Sequence, residues 1–223
     1  MISQELKNQV LQMRKDGSSY SDIQKRVKVS KGTLWYWFNK YEWSEEVRLK
    51  NIERNNIEAT KRLLKYTNER RQKLDKVYEE ARLEGQKEMK IFKDDPIFIA
   101  ALMLYLGEGD KSLKGHSLRM ANIDPAVLNI FIKFLQQFCK VDYNKIKFWL
   151  LCYPDHDVGL CENWWSENLG LPKDHFYKTQ IIQGRHKSKK LPYGVGNITI
   201  GGKQLKVKVL RWIELMCQEL LRV

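Results

Sequence analysis

Residues 44–93 contain no proline and a single glycine, Gly85. They are rich in Glu, Lys, Arg and Leu, which all favour helix. One helix of this length would run about 75 Å at 1.5 Å per residue. Its apolar residues (Val47, Ile52, Leu63, Leu64, Leu74, Val77, Tyr78 and Ala81) keep no heptad, and residues 67–73 include no apolar side chain. A continuous coiled coil needs both, so the stretch is expected to be a charged helical linker or a helical hairpin. That expectation divides the chain into residues 1–43, 44–93 and 94–223. The linker then acts as a spacer between two modules, or simply as a solvated tether.

Forty Lys and Arg stand against 27 Asp and Glu, a formal net charge of +13. An excess of this size points to a polyanionic partner. It is spread along the chain: 8 basic against 4 acidic residues in 1–43, 14 against 10 in 44–93, and 18 against 13 in 94–223. Between positions 174 and 214 there is no acid but nine basic residues: Lys178, Arg185, Lys187, Lys189, Lys190, Lys203, Lys206, Lys208 and Arg211. A phosphate-facing surface is expected there, centred on Arg185, Lys187, Lys189, Lys190 and Lys203. An apolar content of 43% suffices for a core and argues against wholesale disorder. No apolar run approaches about 18 residues, so no membrane span is expected. The N-terminal MISQELKNQV has no apolar signal core, and Cys139, Cys152, Cys161 and Cys217 form no disulfide framework. A cytoplasmic location follows as the expectation.

Within residues 1–43, Leu6, Val10, Leu11 and Met13 recur at helical spacing up to Gly17, a helix terminator. Ser19 and Ser30 stand where N-caps of two further helices belong, with Ile23 and Val27 on the inner face of the first. Leu34, Trp37 and Phe38 form an inward stripe on the second. This segment, SSYSDIQKRVKVSKGTLWYWF, resembles the helix-turn-helix of resolvase-type recombinases and bacterial regulators. The resemblance implies that the start of the last helix enters the major groove of duplex DNA. It assigns Lys31, Gly32, Thr33, Trp35 and Tyr36 to bases and backbone, and Lys40 to a phosphate. A three-helix unit that docks protein is the alternative.

In residues 94–223, Asp95-Pro96 is a strong helix start. The helix PIFIAALMLYLGEGD is apolar all round through Leu106, so burial on every side is expected. Glu108 then lies at the C-terminal end of a buried helix, where the macrodipole and desolvation both oppose a carboxylate. A bound cation would compensate. Ala101 to Gly109, ALMLYLGEG, resembles the nine-residue signature of the LAGLIDADG family, best known as homing endonucleases. Leu106 stands where that family often has an acid, and Met103 where it often has a small residue. The following order of expected elements suits one LAGLIDADG half, a mixed α/β saddle. Strands are expected at SLRMANID, KIKFWLLCYP, HFYKTQII and GNITIGG, and helices after Pro125, over GLCENWWSENLGLP, and from Lys203 to Arg222. The expected class of the whole chain is α+β.

The resemblance implies Mg²⁺ held by Glu108 with Gly107 beside it, and Glu108 as the catalytic acid of a DNA endonuclease. One signature per chain supplies one acid, so cleavage implies a homodimer through the helix 96–107 on double-stranded DNA. Lys147, Lys178 and Lys203 are candidates for transition-state stabilisation, and Asp110 for an assisting acid. The alternative is a non-catalytic transcription regulator with a degenerate LAGLIDADG domain, which Leu106 and Met103 favour. RNA is disfavoured as partner, since the RNA major groove is too narrow for side chains to read. Cys152, His156 and Cys161 show C-x3-H-x4-C spacing without the tight pairs or fourth ligand usual for zinc, so no zinc is expected. The aromatics Trp164, Trp165, Phe176 and Tyr177 are assigned to packing before base stacking.

Overall fold

The computed structural model describes residues 3–182 and 191–221. Three short helices open the chain: α1 (Gln4–Lys15), α2 (Tyr20–Arg26) and α3 (Lys31–Phe38). Each begins at a serine whose hydroxyl accepts a backbone N–H three residues on: Ser3 from Leu6, Ser19 from Asp22 and Ser30 from Thr33. Satisfying these orphan donors fixes where each helix starts. Gly17 follows α1 at φ +92°, a conformation that favours glycine. Val10, Ile23, Val27, Val29, Leu34 and Phe38 close into one small core.

The expected linker forms one helix with no hairpin, α4 (Glu42–Phe92). The chain forms two units, Met1–Lys73 and Leu74–Val223, so α4 contributes to both. Its first turns are anchored in the N-terminal unit. Buried Arg14 donates through Nε to Ser44 Oγ at 3.1 Å and through its terminal nitrogen to the Ser44 carbonyl at 2.5 Å. Asn51 Nδ2 donates to the Gly17 carbonyl at 2.9 Å. Residues 52–76 are exposed throughout. Further on, Ala81 and Met89 are buried in the C-terminal unit, Met89 in its main core. Trp212 Nε1 donates to the Gly85 carbonyl at 2.9 Å. Lys208 reaches Glu84 and Glu88. The end of the expected linker is therefore a packed element of the second unit.

That unit comprises α5 (Pro96–Glu108), β1 (Ser117–Asn122), α6 (Pro125–Gln137), β2 (Lys147–Cys152), α7 (Val158–Leu169), β3 (Gln180–Ile181), β4 (Val195–Gly201) and α8 (Lys203–Leu220). The fold is α+β, with the described strands in one mixed sheet of order β1-β4-β2-β3. β4 pairs antiparallel with β1 and β2, while β3 runs parallel to β2. Leu118, Met120, Phe148, Leu150, Ile198 and Ile200 alternate onto the buried face. They meet an aromatic cluster of Phe92, Phe98, Phe134, Phe138 and Trp212, whose centroids lie 5.1–6.3 Å apart in pairs such as Phe92–Phe138 and Phe92–Trp212. HFYKTQII does not extend as expected. A 3-10 turn at Lys173–His175 and irregular backbone after it leave Gln180–Ile181 as its only strand residues. Among the described residues, no helix is long and apolar enough to cross a membrane.

Candidate nucleic-acid interface

Helix α3 separates its side chains cleanly. Leu34 and Phe38 are buried, and Trp37 is half-buried against the same core. Lys31, Gly32, Trp35, Tyr36 and Lys40 face solvent, with Trp35 59% and Tyr36 74% exposed. Thr33 is half-buried, and its hydroxyl lies 2.8 Å from Ser30 Oγ at the cap. Lys40 Nζ lies 5.4 Å from the Tyr41 ring centroid.

The sheet presents a second open surface. Its cross-strand rows are set by the register: Arg119, Thr199 and Lys147 form one, and Ala121 and Trp149 flank the buried Asn197 in the next. The Arg119 guanidinium lies 5.8 Å from the centre of the Trp149 ring, an attraction between cation and π-face. Exposed Tyr177, Lys178 and Gln180 extend this surface past β2. Arg119, Thr199 and Trp149 carry no sequence motif of their own. Period-two alternation places them outward once the strands are identified.

Helix α5 ends at the border of that sheet. An isolated bridge pairs Gly109 with Met120, and the Asp110 N–H donates to the Arg119 carbonyl at 2.9 Å. Glu108 is exposed at this end, contrary to the burial expected for it. The reason is that only Phe98, Ala101, Leu102 and Tyr105 of α5 are buried in this chain. Ala100, Met103 and Leu104 are half-buried, and Gly107 is exposed. A Cβ on Gly107 would meet nothing within 4 Å, whereas one on Gly109 would lie 2.5 Å from the Tyr105 carbonyl oxygen. Burial pushes the Tyr105 phenol well above its ordinary value, and its hydroxyl donates to the Asp110 carbonyl at 2.7 Å. Lys111 donates through Nζ to the Leu106 carbonyl.

Asp110 is committed locally. One carboxylate oxygen accepts the Ser112 N–H at 3.0 Å and the other receives Lys206 Nζ at 3.1 Å. These bonds, the Ser112 N–H first, hold its pKa below the ordinary carboxylate value. The acid-free stretch is thus not acid-free in space. Lys206 pairs with Asp110, Lys208 with Glu84 and Glu88, and Arg211 with Glu214. Lys203 lies with its Nζ 5.5 Å from the Tyr78 ring centre. Lys178 remains as an exposed cation of that group. Arg185, Lys187, Lys189 and Lys190 lie outside the described residues. The structure therefore brings Arg119, Lys147 and Lys178 to one sheet surface, Glu108 to its border, and Lys31, Trp35 and Tyr36 to one helix surface. Comparison with known protein families, with curated proteins and with solved structures yields no match for this chain.

Proposed function

We propose that the protein binds double-stranded DNA through α3 and through the open sheet surface, and that it is a Mg²⁺-dependent, site-specific endonuclease of LAGLIDADG type acting as a homodimer. The observation that carries this reading is the position of Glu108, an exposed acid at the end of α5, two residues from Asp110, whose N–H donates to the Arg119 carbonyl. A phosphodiester drawn onto Arg119 and Lys147 would come to this border. The donor set suits a hard cation. Glu108 supplies a carboxylate, and Gly107 lies among the last carbonyls of the helix, which α-helical bonding leaves without partners. A divalent ion there would lower the pKa of its bound water and neutralise a leaving oxygen. Pairing α5 with its copy would bring two Glu108 side chains together. The half-buried Ala100 and Met103 and the bare Gly107 supply an apolar, partly small-residue surface for that pairing.

A specific observation also favours a non-catalytic DNA-binding regulator. Asp110, the nearest other acid in sequence, is held by Lys206, and Leu106 offers no carboxylate. Incubation with a plasmid library and Mg²⁺ separates the two readings. The enzyme cuts discrete sites, and Glu108→Gln abolishes cutting while retaining binding. Intact duplex binding without cleavage at any site leaves the regulator. Absence of salt-dependent duplex binding removes both.

A further inference from the structure

Strand β2 ends at Cys152, and α7 begins six residues later at Val158. The turn between them is tightly defined. His156 donates its backbone N–H to the Tyr153 carbonyl at 3.1 Å, and Asp157 caps α7 by accepting the Leu160 N–H at 3.0 Å. Cys161 then lies one turn into the helix, facing back toward the strand. The Cys152 Sγ, a His156 ring nitrogen and the Cys161 Sγ all fall within 4.8 Å of one another. Both thiols are buried, and the imidazole is half-buried. The Tyr153 N–H approaches His156 Nδ1 at 3.4 Å, a distance too long to hold the ring against a metal bond.

We propose that Cys152, His156 and Cys161 form a binding site for a thiophilic divalent ion, Zn²⁺ by donor chemistry. Two sulfurs and an imidazole are the soft and borderline ligands that zinc selects and that magnesium does not. Zinc bonds of about 2.3 Å to sulfur and 2.0–2.1 Å to nitrogen require the three atoms to draw in by up to about 1 Å. The turn and the first turn of α7 carry that movement. Burial, together with nearby Asp157 and Glu162, pushes the Cys161 thiol above its ordinary value, so a bound ion displaces the thiol proton. Glu162 is itself fixed by the Thr179 hydroxyl at 2.5 Å. Among the described residues no fourth His, Cys, Asp or Glu joins the cluster. Water, entering beside the half-exposed His156, completes the tetrahedron. The site pins the end of β2 to α7, next to the β3 edge. The sequence argued against zinc because the ligands are not tight pairs and a fourth is missing; the strand-turn-helix corner answers the first objection, and the fourth position falls to water rather than to a side chain.

The test uses the full chain, purified under reductant, stripped with a chelator and titrated with Co²⁺. Uptake of about one equivalent is expected, with thiolate-to-cobalt charge-transfer and tetrahedral d–d bands that Zn²⁺ abolishes. Zinc should also raise the melting temperature. His156→Ala and Cys161→Ser should each weaken binding by at least about tenfold, and Cys217→Ser should leave it unchanged. If Cys161→Ser does not fold, His156→Ala, at a half-exposed position, carries the comparison. Three results overturn the proposal. The reduced wild type takes up no stoichiometric cobalt or zinc. Uptake is unchanged in His156→Ala. Thiol titration finds Cys152 and Cys161 joined as a disulfide, with no metal binding after reduction.

Discussion

Lys206 is fully buried, and its ammonium meets Asp110 at 3.1 Å. Removing one member of such a pair strands the other charge, while replacing the cation by an apolar side chain does not. Asp110→Ala should therefore cost about 3 kcal/mol, the low end of that range because Asp110 is 29% exposed. Lys206→Met should be neutral or stabilising, and urea unfolding of the two variants gives the comparison. The pair also sets a pH dependence. The folded pKa of Asp110 is depressed, so its stabilisation is complete above the unfolded value near 3.9 and is lost as pH falls through the lower folded value. Wild type should thus lose more stability than Asp110→Asn as pH drops below about 4. Two neighbouring glycines should part in the same way. Gly109→Ala forces a Cβ against the Tyr105 carbonyl and should cost about 1–3 kcal/mol. Gly107→Ala meets nothing within the chain and should gain up to about 1 kcal/mol of helix propensity. Both glycines stand in the signature, and the sequence could not separate them. Their difference lies in what approaches from another turn.

Helix α4 shows how one element can have two characters. Its regular helical bonding runs from end to end, but residues 52–76 bury nothing while Ala81 and Met89 are buried against the second unit. Local opening follows buried apolar packing more than helix propensity. Hydrogen exchange should therefore be fast over 55–75 and slow over 81–92, and equal protection along the whole helix would contradict this. The helicity of this stretch was legible from its proline-free composition. That it forms one helix, docked at each end, was not, because the docking residues Arg14, Asn51 and Trp212 are spread over more than 190 positions. Helix α3 was legible in more detail, since its cap and its inward stripe are local signals. On the proposed DNA reading, Trp35→Ala and Tyr36→Ala should weaken duplex binding. Lys31→Ala should lower the slope of log affinity against log salt by about 0.9 for each phosphate that is no longer neutralised. Slopes measured between about 50 and 200 mM salt would reveal it.

At the scale of the molecule, the proposed dimer makes α5 the deciding element. Ala100, Met103 and Gly107 repeat at i, i+3 and i+7 on a surface that this chain leaves partly open. Met103→Glu should shift sedimentation from dimer to monomer with its circular dichroism spectrum retained, and cleavage should fall with it. A dimer unaffected by that change would place the interface elsewhere. The sequence by itself determined the serine- and Asp-Pro-capped helix starts, the inward stripe of α3, the α+β class and the long helical stretch, because caps, periodicity and proline content act within a few residues. Only the tertiary structure decided which charges are spent internally. Lys206, Lys208 and Arg211 looked like a phosphate-facing run, and their acids Asp110, Glu84, Glu88 and Glu214 are supplied mostly by other elements. It also exposed Glu108 and gathered Cys152, His156 and Cys161 into one corner. Solvation and Coulomb interactions depend on distance in space, and chain order fixes that distance only for near neighbours.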